Sequence, residues 1–195
     1  MSNNHKRTEK GVFQMKATGI VRRIDDLGRV VIPKEIRRTL RIRDGCPLEI
    51  YTDADGGVVF RKYSLMEGLT DFSGQLCETL YRTCGRAAVI TDRDRCIAAA
   101  GLPRKEVLSR AVSGDLVRVM EKRQIYQHRP GEPRLPLREG EEAAFWLDTA
   151  APILSQGDVL GCVLFTAPEG QGEGGEVEYK LAQSVAAFLG RQMES

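Results

Sequence analysis

The chain has 195 residues, 42% of them hydrophobic and 29% charged, with a formal net charge of +2, which suffices for one small domain and one ordinary domain. No apolar run approaches the ~18 residues of a membrane span and no signal-like segment opens the sequence, so a soluble, intracellular protein with no membrane partner is expected. Cys46, Cys77, Cys84, Cys96 and Cys162 are scattered, without a C-x-x-C pair, which argues against a disulfide framework and a structural zinc site and for reduced, mostly buried thiols.

In chain order, residues 1–14 are polar and lack apolar periodicity, so they read as a disordered extension. Alternation then begins: Ile20, Arg22 and Ile24 fall on one side of an extended segment and Val21 and Arg23 on the other, up to a turn at Asp25-Asp26-Leu27-Gly28. Arg29 follows at the tip, Val30–Ile32 reads as a second strand, and Pro33 opens a short helix to Leu40. Ile36 and Leu40 would share its buried face, with Arg37 and Arg38 pointing away. Leu48–Tyr51 and Val58–Lys62 form a hairpin around the turn-rich Thr52–Gly57. Four strands and one helical turn bury too little apolar surface to be stable alone, because units near ~40 residues usually need a metal, disulfides or a partner. An obligate dimer is expected.

Residues 15–62 hold eleven basic and seven acidic side chains, a net of +4, whereas residues 63–195 carry a net of −4. Taken alone, the arginines could be a solvated face balanced by Asp25, Asp26 and Glu35, since such surface pairs are worth only ~0–1 kcal/mol. Their placement favours DNA: a glycine-hinged turn ending in arginine, beside a helix bearing two more, presents bidentate donors to phosphate or guanine. No recognition helix of ordinary length is present. Strand and loop arginines would supply the contacts, with DNA shape and deformability counting for more than base edges and a broad preference among sites.

The stretches Thr18-Gly-Ile-Val-Arg22, Leu27-Gly-Arg-Val-Val-Ile-Pro33 and Ile36-Arg-Arg38 resemble the AbrB-type swapped-hairpin DNA-binding domain. The resemblance implies that two chains interleave their hairpins into one β-barrel. It also implies that DNA contacts come from Arg22, Arg29, Arg37 and Arg38, joined by Lys16. The whole chain, including residues 175–194, is similar to sporulation and transition-state regulators that join this domain to a GAF-like second domain.

Beyond Lys62 longer amphipathic elements take over. Leu65, Leu69, Phe72, Leu76 and Leu80 mark a helical face, Arg86–Ile90 a strand, Thr91–Asp94 a turn and Cys96–Ala100 its hairpin mate. Pro103–Arg123 reads as helical, Phe145–Leu154 and Val159–Phe165 as strands, and the final helix carries Val177, Leu181, Val185, Phe188 and Leu189. Helix, antiparallel sheet, helix is the order of a GAF-like sensor. The first and last helices could cover their own sheet or form an intermolecular bundle that pairs dimers into a tetramer. Gln127–Gly140, with Pro130, Pro133 and Pro136, is a loop that could border a pocket. Phe145 and Trp146 read as core before ligand-stacking.

Gly170-Gln-Gly-Glu-Gly-Gly175 matches G-x-G-x-x-G, but Glu169, Glu173 and Glu176 would repel a pyrophosphate and no second parallel strand follows. It reads as a flexible loop. Catalysis finds little support, since His5 and His128 are the only histidines, no nucleophile elbow accompanies His128, and it reads as a lone surface residue. No cofactor or metal is implied. A GAF-like core could take a small apolar or nucleotide-like effector, though fold does not fix function.

These readings give an α+β protein. Residues 1–14 form an extension, 15–63 an AbrB-like swapped-hairpin β-barrel made by dimerisation, and 64–195 a GAF-like antiparallel sheet flanked by helices. The expected function is regulation of sporulation or transition-state genes on double-stranded DNA in the cytoplasm, associated with the nucleoid. The alternative is an antitoxin with the same N-terminal barrel; such proteins usually carry a short extended tail, whereas some 130 patterned residues follow here.

Overall fold

The computed structural model describes residues 18–139, 145–167 and 174–194. The chain packs as two compact units, one ending at Arg43 and one beginning at Asp44.

In the first unit the two predicted strands do not form. Residues 20–24 and 29–33 run on either side of a turn without entering a sheet, and only the six-residue helix α1 (Lys34–Thr39) is regular. The apolar side chains of these segments lie open, Val21 at 85% and Val31 at 71% exposure, with Ile24 and Leu27 similarly bare. A strand needs a hydrogen-bonding neighbour, and this part of the chain supplies none. Leu40, expected to be buried, is likewise exposed, and Ile36 is half-buried. Pro33 is the residue before α1 rather than its first member.

The second unit opens with the expected hairpin, β1 (Leu48–Thr52) and β2 (Val58–Lys62), antiparallel with Leu48 opposite Lys62 and Thr52 opposite Val58. Asp53 closes it: its carboxylate accepts the backbone N–H groups of Asp55 at 3.1 Å and Gly57 at 2.6 Å. Contacts within one chain group this hairpin with the second unit. The hairpin belongs to the second unit because the Lys62 ammonium pairs with the Asp94 carboxylate and Ser64 Oγ donates to Asp92 Oδ2 at 3.3 Å.

A 3-10 turn (Leu65–Leu69) leads into α2 (Thr70–Cys84), followed by β3 (Ala87–Asp92), β4 (Cys96–Ala100), α3 (Arg104–Val107), α4 (Gly114–Glu121), the two-residue β5 (Tyr126–Gln127), β6 (Trp146–Ser155), β7 (Asp158–Ala167) and α5 (Glu176–Gln192). The five strands make one antiparallel sheet in the order β4-β3-β7-β6-β5. Both faces are covered, so the strands are buried on both sides and largely apolar rather than alternating. Ala88, Ile90, Ile153, Val163 and Phe165 share one core with α2 and α5. Val89, Ala150, Leu147 and Leu164 share the other with α3, α4 and Leu137.

The helices keep part of their predicted faces, with Leu69, Leu76, Leu80, Leu181, Val185 and Leu189 in or against the core, and differ at the rest. On α2 the buried positions are Ser73, Cys77 and Leu80, while Leu76 is half-buried and Phe72 exposed. On α5 they are Ala182, Ala186, Leu189 and Gly190, with Val177 and Phe188 exposed. Small residues let a helix approach a sheet closely: a Cβ on Gly190 would lie 2.1 Å from the Leu154 carbonyl oxygen. The single helix expected over Pro103–Arg123 is two, because the intervening backbone bonds to β4 instead. Ser109 N–H donates to Cys96 O at 2.8 Å and Cys96 N–H to Arg110 O at 3.0 Å. Ser113 then caps α4, its hydroxyl accepting from Leu116 N–H at 3.0 Å.

Buried charge is paired. Arg86 bridges Asp148 at 3.2 Å and Glu178 at 3.3 Å, and the same carboxylates accept Gly174 N–H at 2.7 Å and Gly175 N–H at 2.8 Å. This network fixes the start of α5 against β6 and the residue preceding β3. His128 is buried, not on the surface as expected, because its backbone N–H donates to Asp148 O at 2.8 Å and draws the chain against β6.

Candidate nucleic-acid interface

The turn that carries Arg29 is built by Asp25. Gly28 takes a φ of +75°, left-handed backbone that glycine adopts without strain. Its N–H donates to Asp25 O at 2.9 Å, and Asp25 N–H donates to Arg29 O at 3.1 Å. The Asp25 carboxylate accepts the N–H groups of Leu27 at 3.0 Å and Arg29 at 2.8 Å, and also Arg29 Nε at 2.8 Å. These bonds, the Arg29 backbone N–H foremost and its side chain next, hold the Asp25 carboxyl below the usual aspartate range. The Arg29 side chain stays 69% exposed. An exposed pair of this kind adds little stability. What it does is orient the guanidinium while leaving its two terminal amino groups open to solvent.

Arg37 and Arg38 occupy the last turn of α1, where cations suit the carbonyl end of a helix. The end is sharp: Leu40 N–H donates to Ile36 O at 2.9 Å, Ile42 N–H to Arg37 O at 2.7 Å, and Arg41 turns into left-handed backbone at φ +53°. Arg38 is exposed and Arg37 half-buried. Arg22 is exposed on the extended stretch before the turn. The four arginines thus come from three local elements of the unit that ends at Arg43. Lys16 and the 1–14 extension lie outside the described residues. Asp25 is the member that sequence reasoning missed as a positioning group, although Asp with Gly three and Arg four positions later was there to be read.

Nothing described in the second unit competes as a reactive centre. Burial pushes the Cys77 and Cys96 thiols up to about 12 and raises that of Cys162 as well, which leaves them protonated and unreactive. Among the described residues no three His, Cys, Asp or Glu side chains converge to hold a metal. The glycines that enter α5 lie against carboxylates: a Cβ on Gly174 would fall 2.1 Å from Asp148 Oδ2. Residues 168–173 of the glycine-rich run lie outside the described residues. No helix among the described residues is long and apolar enough to cross a membrane.

Comparison with known proteins finds two family models, one ending at residue 65 and the other beginning at residue 68. Residues 68–194 match the family described as stage V sporulation protein T C-terminal, transcription factor. Residues 21–65 match antidote-toxin recognition MazE, bacterial antitoxin. Stage V sporulation protein T of Bacillus subtilis strain 168 is 46% identical over 181 residues, which is 92% of this chain and 99% of that protein. The transition state regulatory protein AbrB of the same organism is 59% identical over 49 residues, 25% of this chain and 50% of its own length. The second domain shares its fold with the blue-light absorbing form of the PixJ GAF domain from Thermosynechococcus elongatus. The TM-score is 0.51 at 10% identity, covering 68% of this chain and 89% of that one. The chain is an α+β protein with an AbrB-like N-terminal segment and a GAF-like C-terminal domain, and it belongs to the stage V sporulation protein T family of transcription factors.

Proposed function

We propose that two copies of this chain interleave residues 15–63 into one swapped-hairpin barrel that grips double-stranded DNA through Arg22, Arg29, Arg37 and Arg38, with Lys16 as a flanking phosphate contact. The single observation that carries this reading is the Arg29 turn: an arginine locked by Asp25 yet open to solvent, flanked by extended segments whose apolar side chains are bare in one chain. A partner's strands would pair those segments and bury them. The identity shared with a transition state regulatory protein over 49 residues supports the DNA-binding role.

In this reading the protein acts as a cytoplasmic, nucleoid-associated regulator of sporulation or transition-state genes, not as an enzyme. The GAF-like residues 64–195 assemble dimers into a tetramer. Phe72 of α2 and Phe188 of α5 support that step, since their rings lie 6.0 Å apart and both are exposed, as is Val177 at the start of α5. A small-molecule effector would enter the cleft of about 460 Å³ between α2, β4 and α3, where Gln75, Glu78, Arg82 and Arg104 supply polar partners. The antitoxin reading rests on the match over residues 21–65 alone, and the long second domain of a regulator family weighs against it.

The test is Arg29→Ala in the full chain. Loss of one charge-assisted contact per protomer should weaken duplex binding at least about tenfold, roughly 1.4 kcal/mol, with the assembly state by sedimentation unchanged. Unaltered affinity would refute the site, and a dissociated protein would make Arg29 structural.

A further inference from the structure

The two helical layers of the second domain differ in charge and in apolar exposure. Residues 104–138, which form α3, α4, β5 and the loop that follows, carry nine basic side chains against four acidic ones, a net of +5; seven of the nine are arginines. On the opposite face α2 and α5 together carry three basic against four acidic residues. Arg110, Lys122, Arg123 and Arg129 are exposed, and none has an ion-pair partner among the described residues. Their backbones are fixed: Arg110 O accepts from β4 at 3.0 Å, and Lys122 N–H and Arg123 N–H donate back into α4 at 3.2 and 3.0 Å. Apolar exposure runs the other way. Among the described residues no large apolar side chain is exposed between 104 and 138, whereas Phe72, Tyr81, Val177 and Phe188 are exposed on α2 and α5.

Protein interfaces are organised around buried apolar and aromatic anchors. A surface that offers guanidinium and ammonium groups on a rigid backbone, with no such anchor, matches a phosphate backbone instead. We propose that the α3–α4 layer of the second domain is a second, sequence-independent contact for double-stranded DNA, adding phosphate neutralisation to that of the N-terminal arginines. This rests on the DNA-binding reading above and extends it to a surface with no part in the N-terminal barrel.

The test uses the full chain and a duplex of about 40 base pairs, long enough to pass beyond one barrel at a phosphate every ~1.7 Å of helix axis. Affinity is measured against salt for the parent, for Arg110→Gln/Lys122→Gln/Arg129→Gln, and for a control on the other layer, Lys180→Gln/Arg191→Gln. The first variant should show a log-log slope shallower by about 2, one phosphate per protomer of a dimer, while the control keeps the parental slope. A Lys105→Gln/Arg123→Asn variant repeats the test on separate residues should the triple variant lose its thermal transition. If the parent binds and every variant keeps its slope, the inference is overturned. It is equally overturned if the α3–α4 variants change the assembly state without DNA, since the layer would then hold a protein. A parent that does not bind the duplex defeats the earlier reading instead.

Discussion

Residues 20–32 and the sheet of the second domain are written in a similar apolar script, yet one stays open and the other closes. Val163 on β7 has strands on both sides and helices over both faces and is wholly buried. Val31 sits in an equally apolar run and is 71% exposed, because no other described segment pairs with it. Apolar sequence specifies a strand only together with a neighbour. In the proposed function a second copy supplies the neighbour that this segment lacks.

The same substitution in both regions sharpens this contrast. Val163→Asp places an unpaired charge in the core and should cost at least about 4 kcal/mol, unfolding the second domain. Val31→Asp should leave that domain's unfolding midpoint unchanged while weakening dimerisation about a hundredfold, roughly 2.7 kcal/mol, as read by sedimentation equilibrium. Equal effects on unfolding would erase the distinction. Within the second domain, Gly190→Ala should destabilise by about 1–3 kcal/mol through overpacking against Leu154. Gly74→Ala on α2, where a Cβ meets nothing within 4 Å, should instead stabilise by about 0.5–1 kcal/mol. Thermal denaturation separates the two signs.

Smaller effects concern single groups. In the native protein a thiol reagent followed by mass spectrometry should modify the half-buried Cys46 and Cys84 and spare Cys77, Cys96 and Cys162, whose thiols burial keeps protonated. All five should react in denaturant. At the turn, the folded Asp25 carboxyl is depressed, so its bonds to Arg29 persist above the unfolded value near 3.8 and are lost only as pH falls through the lower folded value. The Arg29 amide resonance should therefore shift with a midpoint below 3.8. A midpoint at or above it would mean that the lock is absent.

Four of the five strands of the second domain's sheet were legible as apolar runs bounded by turn residues, whereas β5 was not, because Tyr126–Gln127 has no apolar pattern and exists only by pairing with β6. The helix faces were legible only in part: Leu76, Leu80, Leu181, Val185 and Leu189 lie in or against the core, but the small residues beside them were not foreseen. Alanine, serine, cysteine and glycine at Ala182, Ala186, Ser73, Cys77 and Gly190 carry little hydrophobic weight in a periodicity reading, yet close approach to a sheet selects them. The break between α3 and α4 was hidden because it depends on backbone pairing with Cys96, a long-range partner, although Ser113 as a helix cap was visible locally. Of the candidate interface, the arginines were legible by type and spacing. The Asp25 lock needed the turn geometry to be seen.

The central claim is that arginines from two copies of the N-terminal unit neutralise the phosphates of one duplex. Its most direct measurement is the salt dependence of duplex affinity for the full chain, since each neutralised phosphate contributes about 0.9 to the log-log slope. With about 6 to 8 phosphates engaged per dimer the slope should lie near −5 to −7. An affinity that does not change with salt would contradict the account.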